Sequence, residues 1–149
     1  MNKLLETIKE NSIISIENKK YKVLGKVFYT TQNDHNSTYA KILLENHNVL
    51  VLSPMDNIAY FGKNEGQLQS FDSLDTIIEY NGKLFNQVNH DYQIVLKIEF
   101  GSPIEVEGEV EFWDYECDDE IISIAKVSRD NSRADVVAQY ISLENIEIR

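Results

Sequence analysis

The sequence predicts an all-β protein with two loosely repeated antiparallel β halves, arranged as a sandwich or as paired small barrels, and a short N-terminal helix. Three observations support this class. Apolar and polar side chains alternate with a period of two along several stretches, which is typical of strands with one buried face. Turn residues separate these stretches, and Asn81-Gly82 is the clearest pair because a type I′ turn needs positive φ at both positions. Helical spacing of apolar residues is found only at residues 2–9.

The composition indicates one acidic domain spanning residues 1–149, of which 42% are hydrophobic and can form a core. The 14 basic and 25 acidic residues give a formal net charge of −11, which disfavours binding to nucleic acid. A single Cys excludes an internal disulfide, and the N-terminus lacks the apolar core of a signal peptide. No apolar run reaches the roughly 20 residues that span a bilayer. We therefore expect a cytoplasmic protein without direct membrane insertion.

The strands of the first half are predicted from short apolar runs separated by polar turns. Gly25 lies in the middle of a long strand, which indicates a bend or a close approach of another backbone. Residues 30–38 are predicted to be a loop, and Gly62 to Ser73 a connector, because both stretches are polar. The predicted strands cover residues 13–17, 21–29, 39–45, 49–52 and 58–61.

In the second half, His90-Asp91 is predicted to separate two strands, and a hairpin over residues 104–127 holds the only Trp and the only Cys. Apolar or small residues occupy its even positions as far as Phe112, and from Trp113 onward they occupy the odd positions. A phase change within one strand predicts a β-bulge or a sharp bend near 112–113. Asp118-Asp119 is the predicted turn of the hairpin.

An internal repeat is suggested by the order of features in residues 13–61 and 77–148. Each stretch contains a strand, a Gly-x-Val-x-aromatic strand, a polar or acidic loop, an apolar strand and a closing strand. This similarity of pattern predicts a duplicated half.

Five blocks of the sequence resemble an uncharacterised bacterial family, domain of unknown function 4178. The resemblance covers roughly residues 13–148, and it implies no known activity. Members of that family are found with membrane-stress and membrane-scaffold proteins, so the resemblance implies a protein partner near a membrane. The chain departs from the family pattern at Ala125, where a Glu is usual. The five blocks are Ile14–Tyr29, Tyr39–Leu44, Val51–Ser53, Tyr80–Gly82 and Gly108–Glu116, the last of which matches Gly-x-Val-x-aromatic-x-Asp-Tyr-Glu.

The acids of the hairpin leave three interpretations open: a cation site, a surface for a basic partner, or a solvated tip whose charges prevent edge-to-edge aggregation. The spacing lacks the pattern of a calcium loop, so no metal ligand is assigned. Cys117 has no His near it in the sequence, so neither a catalytic residue nor a cofactor is assigned. The acids are Asp114, Glu116, Asp118, Asp119 and Glu120.

These features predict a non-catalytic module for protein interaction or assembly, which the family resemblance links to a bacterial membrane-associated system. Its partner is expected to be another protein. The alternative is an enzyme that binds a small molecule or a metal in a cleft between the two halves. Such an enzyme would show a concave pocket with convergent polar groups of perturbed pKa. The predicted partner surface consists of Phe112, Trp113, Asp114, Tyr115, Glu116, Asp118 and Asp119.

Overall fold

The computed structural model describes residues 1–34, 38–68, 74–102 and 109–149. This part of the chain has one short α-helix, α1 (Asn2–Thr7), two single-turn 3₁₀ segments (Glu45–His47 and Leu143–Asn145), and is otherwise mostly β-strand, so both the all-β class and the N-terminal helix are confirmed. The strands are β1 (Ile13–Ile16), β2 (Lys19–Thr31), β3 (Thr38–Leu44), β4 (Asn48–Ser53), β5 (Ile58–Gly66), β6 (Ile77–Tyr80), β7 (Lys83–Phe100), β8 (Val110–Cys117), β9 (Glu120–Val127), β10 (Asp135–Tyr140) and β11 (Ile146–Ile148).

Eight strands form one closed antiparallel barrel in the order β2-β3-β4-β5-β10-β9-β8-β7, and the pairing of β7 with β2 closes the ring. The predicted sandwich or pair of small barrels is therefore wrong. The first half supplies β2 to β5 and the second supplies β7 to β10, and each set pairs with the other at both of its edges. Closure of all eight strands leaves no unpaired barrel edge, which two separate four-stranded sheets would expose.

Two outer layers cover the barrel and bury its outward side chains. α1, β1 and β11 cover β2 to β4, where Leu5, Ile8 and Ile14 belong to one apolar cluster with Ile42 and Leu50. On the other side β6 pairs with the start of β7, and a second cluster forms over β8 and β9. Strands β8 and β9 are therefore buried on both faces, one in the barrel and one under an outer layer.

Burial on both faces explains the phase change of the apolar pattern in β8. This strand pairs with β9 in continuous register from Val110 to Cys117, so the predicted bulge near 112–113 is wrong. Trp113 packs in the outer cluster and Phe112 lies in the barrel wall, because neighbouring residues of a strand face opposite ways. The Asp118 turn is confirmed by its φ of 54°. Residues 104–108 of the predicted hairpin lie outside the described residues.

The predicted break at His90-Asp91 is also wrong, because β7 runs without interruption from Lys83 to Phe100. The register of β7 against β8 shifts instead between Gln87 and Asn89. The imidazole of His90 stacks on the indole of Trp113 at a centroid distance of 4.8 Å. Asp91 is buried and accepts a hydrogen bond from Asn33 Nδ2 at 3.0 Å. His90 and Asp91 therefore both have partners while the backbone of β7 stays extended.

Glycines allow backbones to pack closely at two places in the barrel. Gly62 was predicted to begin a connector, but β5 continues to Gly66, so that prediction is wrong for residues 62–66. A Cβ at Gly62 would lie 2.0 Å from the carbonyl oxygen of Val137 in β10. The predicted close approach at Gly25 is confirmed, since a Cβ at Gly101 would lie 2.6 Å from the Cα of Gly25. Residues 35–37 of the predicted 30–38 loop and residues 69–73 of the connector lie outside the described part of the chain.

Lys26 connects the barrel to α1. Its ammonium donates hydrogen bonds to the carbonyl oxygens of Leu5 and Ile8, the latter at 3.2 Å, and pairs with Glu99 at 3.0 Å. Its side chain is only 2% exposed, so these partners replace the water that the charge loses on folding. The carbonyls at the end of α1 obtain from Lys26 the donors that a helix end lacks.

We expect Gly62→Ala to destabilise the fold by more than about 3 kcal/mol, because the new methyl would meet backbone atoms of β10 that cannot move aside. Urea denaturation monitored by circular dichroism would measure the loss. Gly82→Ala is the control. It has φ of +78° but nothing within 4 Å of an added Cβ, so it should cost only about 1–2 kcal/mol. Equal losses in the two variants would contradict the close contact at Gly62.

Lys26→Met should lower the free energy of unfolding by about 1–3 kcal/mol, because it removes the donor to two carbonyls under α1. Lys22→Met is the matched control, since Lys22 is an exposed lysine of the same strand. Chemical denaturation of both variants tests the difference. A loss no larger in Lys26→Met than in Lys22→Met would show that the contacts of Lys26 contribute nothing to stability.

Candidate functional site

One end of the barrel interior contains a cavity of about 310 Å³. Eight-stranded barrels either fill their interior with side chains or leave room for one small ligand. Alternate residues of each strand point inward, so Val51, Phe112 and Ile121 give apolar wall while Lys41 and Asp114 bring charge into the same space. The cavity is lined by residues of both predicted halves.

The mouth of this cavity lies between the β4–β5 turn and the register shift of β7. Ser53 and Asp56 line it on the turn side, where Ser53 Oγ donates to Asp56 Oδ2 at 3.0 Å. Val88 and Asn89 line it on the β7 side, and Val88 is 53% exposed. A bulge re-aims the side chains around it, which brings Asn89 to the cavity.

Asp114 is the central acid of the cavity. Burial raises the pKa of its carboxyl to about 6, and the nearby Glu116 carboxylate contributes to this rise. Hydrogen bonds from Ser123 and Asn89 and the attraction of Lys41 lower the pKa but do not cancel the effect of burial. Its Oδ1 atom is buried and has no hydrogen-bond partner within the described residues. Asp114 as a whole is partly buried, and it lines the cavity.

Two tyrosines stand beside the acids. Tyr140 donates its hydroxyl to Glu116 Oε1 at 2.5 Å, and burial together with that carboxylate raises the pKa of the phenol well above its usual value. The Tyr60 ring meets the Tyr140 ring edge-on at 6.0 Å. Burial, Asp114 and Tyr140 also raise the pKa of Tyr60. Both phenols therefore stay protonated near neutral pH and remain hydrogen-bond donors.

Gln93 and Lys41 complete the polar wall. Tyr39 donates its hydroxyl to Gln93 Oε1 at 2.7 Å, whereas Gln93 Nε2 has no hydrogen-bond partner among the residues that the structure describes. Gln93 is only 5% exposed, so this unused donor is desolvated. The ammonium of Lys41 lies 5.2 Å from the ring centroid of Tyr29, and the residue is 8% exposed.

This arrangement can bind a polar group and can exchange a proton with it. Gln93 offers a donor, Asp114 offers an acceptor, and the two have no partners at Nε2 and Oδ1 respectively in the described structure. A carboxyl with pKa about 6 changes protonation close to neutral pH. Within the described ranges, no group of three or more His, Cys, Asp or Glu residues is placed to hold a metal ion.

The structure separates the residues of the predicted partner surface into three sets. Phe112, Asp114 and Glu116 line the cavity. Trp113 and Tyr115 are 7% and 0% exposed and pack in the outer cluster, so they are not available to a partner in this fold.

Asp118 and Asp119 are exposed at the turn of the hairpin. A partner surface formed by this turn stays a prediction. Cys117 is partly buried beside Asp118.

Sequence reasoning missed Lys41, Gln93, Tyr60 and Tyr140. A signal existed for Lys41, because a lysine within the apolar run Ala40–Leu44 indicates a charge that must face the interior or an edge. Nothing in the local sequence distinguishes Gln93 from the other polar residues of β7. Its role depends on the register that sets β7 against β2 and β8.

Comparison with protein-family models gives no match, and neither the curated proteins nor the solved structures give one. The resemblance to domain of unknown function 4178 therefore stays an expectation from the sequence. In the described part of the chain, no helix has the length and apolar character needed to cross a membrane.

Asp114 should make the stability of the protein depend on pH. Its folded pKa of about 6 lies above the ordinary 3.8, so the native state binds more protons than the unfolded chain between those values. Stability should therefore fall as pH rises through this range, by about 3 kcal/mol in total. Asp114→Asn removes the buried charge. The free energy of unfolding of this variant, measured by urea denaturation, should therefore increase relative to that of wild type between about pH 4 and pH 7.

Asp119→Asn is the control for this experiment, because Asp119 is an exposed acid of the same hairpin. Over the same range of pH, the gain of Asp114→Asn on wild type should exceed any gain of Asp119→Asn. If Asp114→Asn and Asp119→Asn follow wild type in parallel, the carboxyl of Asp114 does not have a raised pKa.

Proposed function

We propose that this protein binds a small organic molecule inside the barrel, with an apolar body and a polar head that both donates and accepts hydrogen bonds. Amides and amino-substituted heterocycles have this chemistry. The observation that carries the proposal is the pair of buried polar atoms without partners, Gln93 Nε2 and Asp114 Oδ1, in residues that line one cavity.

Partnerless buried polar atoms support a missing ligand because they are costly. Each such atom costs about 1–3 kcal/mol relative to a paired one, and native proteins retain few of them. A donor on the ligand would satisfy Asp114, and an acceptor would satisfy Gln93. Water can also satisfy such atoms, so the experiment has to distinguish a ligand from solvent.

The size and charge of the cavity narrow the class of ligand. Its volume of about 310 Å³ lies at the lower end of the range of roughly 300–1,000 Å³ for small-molecule sites. Three acids line it, Asp56, Asp114 and Glu116, against the single described cation Lys41. This balance favours a neutral or cationic head group over an anionic one.

NMR titration of the isotope-labelled protein with benzamide, 2-aminopyrimidine, benzylamine and benzoate tests the proposal. The amide, the aminopyrimidine or the amine should bind, benzoate should not, and the amide signals of Phe112, Ile121 and Ala125 should shift on binding. Asp114→Asn should weaken binding about tenfold, because it removes a charged acceptor. Gln93→Glu should weaken the binding of benzamide in particular, since the substitution keeps the acceptor for Tyr39 and removes the donor at Nε2.

Asp119→Asn serves as the control and should bind as wild type does. Binding that is unchanged in both cavity variants, or absent for every compound, would overturn the proposal. For an amine, affinity should also decrease as pH falls below about 6, because Asp114 becomes protonated.

An enzyme that uses the same cavity is the second candidate, and the raised pKa of Asp114 favours it. Asp114 would act as a general base, and the protonated phenol of Tyr60 would donate a hydrogen bond to developing negative charge. Recovery of a bound compound unchanged supports a binding protein. Conversion that is lost in Asp114→Asn supports an enzyme.

The interaction module predicted from the sequence remains a further proposal, now limited to the exposed acids Asp118 and Asp119. These side chains favour a basic protein partner, and the family resemblance links such a partner to a membrane-associated system. A pull-down that loses a partner in the Asp118→Asn, Asp119→Asn variant, but retains it in the exposed control Glu144→Gln, would support this proposal.

A further inference from the structure

We propose a second binding site at the opposite end of the barrel, which takes an oxyanion, a carboxylate or a phosphate, through Arg133. A cavity of about 750 Å³ lies there, between the start of the barrel part of β2, the β3–β4 turn and the end of β5. Lys41 lines both this cavity and the first one. The inference does not depend on what the first cavity binds.

Arg133 lines this cavity, and two hydrogen bonds to one carboxylate hold its guanidinium in place. Its Nε donates to Asp135 Oδ1 at 3.0 Å and its Nη2 donates to Asp135 Oδ2 at 2.7 Å. Asp135 is fully buried and also accepts the backbone N–H groups of Leu68 and Ala125, at 2.9 and 3.3 Å. The two-point pairing and the fixed carboxylate leave Arg133 little freedom to turn.

The third nitrogen of this guanidinium has no use in the described structure. The Arg133 side chain is 4% exposed, and its Nη1 has no hydrogen-bond partner among the described residues. A desolvated, charged donor without an acceptor is more costly than a neutral one. An oxygen of a bound oxyanion would be the missing acceptor, and a planar guanidinium suits carboxylate and phosphate oxygens.

The charge around the cavity also favours an anion. The chain has 25 acidic residues, yet no carboxylate is found among the described residues that line this cavity, whereas Lys41 and Arg133 do line it. Asn64 uses its Oδ1 to accept the N–H of Gly66 at 3.0 Å, so its amide nitrogen is the polar atom it can offer a ligand. The first cavity has the opposite character, because acids line it.

Apolar side chains share the cavity with Lys41 and Arg133. Leu43, Val49 and Val136 line it, so an oxyanion carried on an apolar body would find both a charge partner and apolar contact. Free phosphate and an organic carboxylate share the oxyanion chemistry but differ in that body. The experiment can therefore distinguish these two sources.

Titration of the isotope-labelled full chain with phosphate, acetate and octanoate at constant ionic strength, followed by NMR, tests the site. The guanidinium signals of Arg133 and the amides of Val49 and Val136 should shift and saturate, and chloride should not produce these shifts. Tighter binding of octanoate than of acetate would identify an organic carboxylate as the source. Binding of phosphate alone would identify a phosphate. Either result supports the proposal.

Arg133→Lys should weaken the observed binding at least about tenfold, because lysine keeps a positive charge beside Asp135 but has only one nitrogen and so lacks the separate Nη1 group that would meet the anion. Arg129→Lys is the matched control, since Arg129 is exposed in the same loop, and its affinity should equal that of wild type. The wild-type titration remains decisive even if Arg133→Lys does not fold. Absence of saturable shifts with all three anions, or equal weakening in both variants, would overturn the proposal.

Discussion

The pairing of β2 with β7 is the constraint on which the rest of the structure depends. It joins the first and last strands of the ring, and without it the eight strands would form an open sheet with two exposed edges. The backbones of Gly25 and Gly101 meet where this pairing begins, at a distance that no side chain would allow. A closed interior, and therefore the cavities at its two ends, follows from this one set of hydrogen bonds.

Closure also determines where charged residues are placed. Lys26 faces outward, yet it is buried because α1 covers it, and its donors are used by the helix carbonyls and Glu99. Asp114 and Arg133 each line one of the two cavities. Each has one side-chain atom without a hydrogen-bond partner in the described structure, Oδ1 of Asp114 and Nη1 of Arg133. Lys26 therefore has a structural role, because its partners offset the cost of burying its charge. Asp114 and Arg133 are candidate binding groups, because their unpaired atoms leave part of that desolvation cost in place.

The two ends of the interior differ in their charged side chains. Asp114, Glu116 and Asp56 line one cavity, Arg133 lines the other without a carboxylate among the described lining residues, and Lys41 lines both. A barrel of this kind can select ligands by charge at each mouth, with the strands themselves acting as the scaffold. The outward face of the β8–β9 hairpin is apolar instead, since Trp113 and Tyr115 pack under the outer layer.

The sequence by itself determined the class of the fold and most of its local turns. Period-two alternation and turn chemistry are local properties, so the helix at residues 2–9, the Asn81-Gly82 hairpin and the Asp118 turn could be read directly. The tertiary structure decided what each strand face contacts. Only the ring places Asp114 inside the barrel with Gln93 from another strand, and only the outer layer buries Trp113. Pairing between strands distant in sequence creates these environments, and no local pattern encodes them.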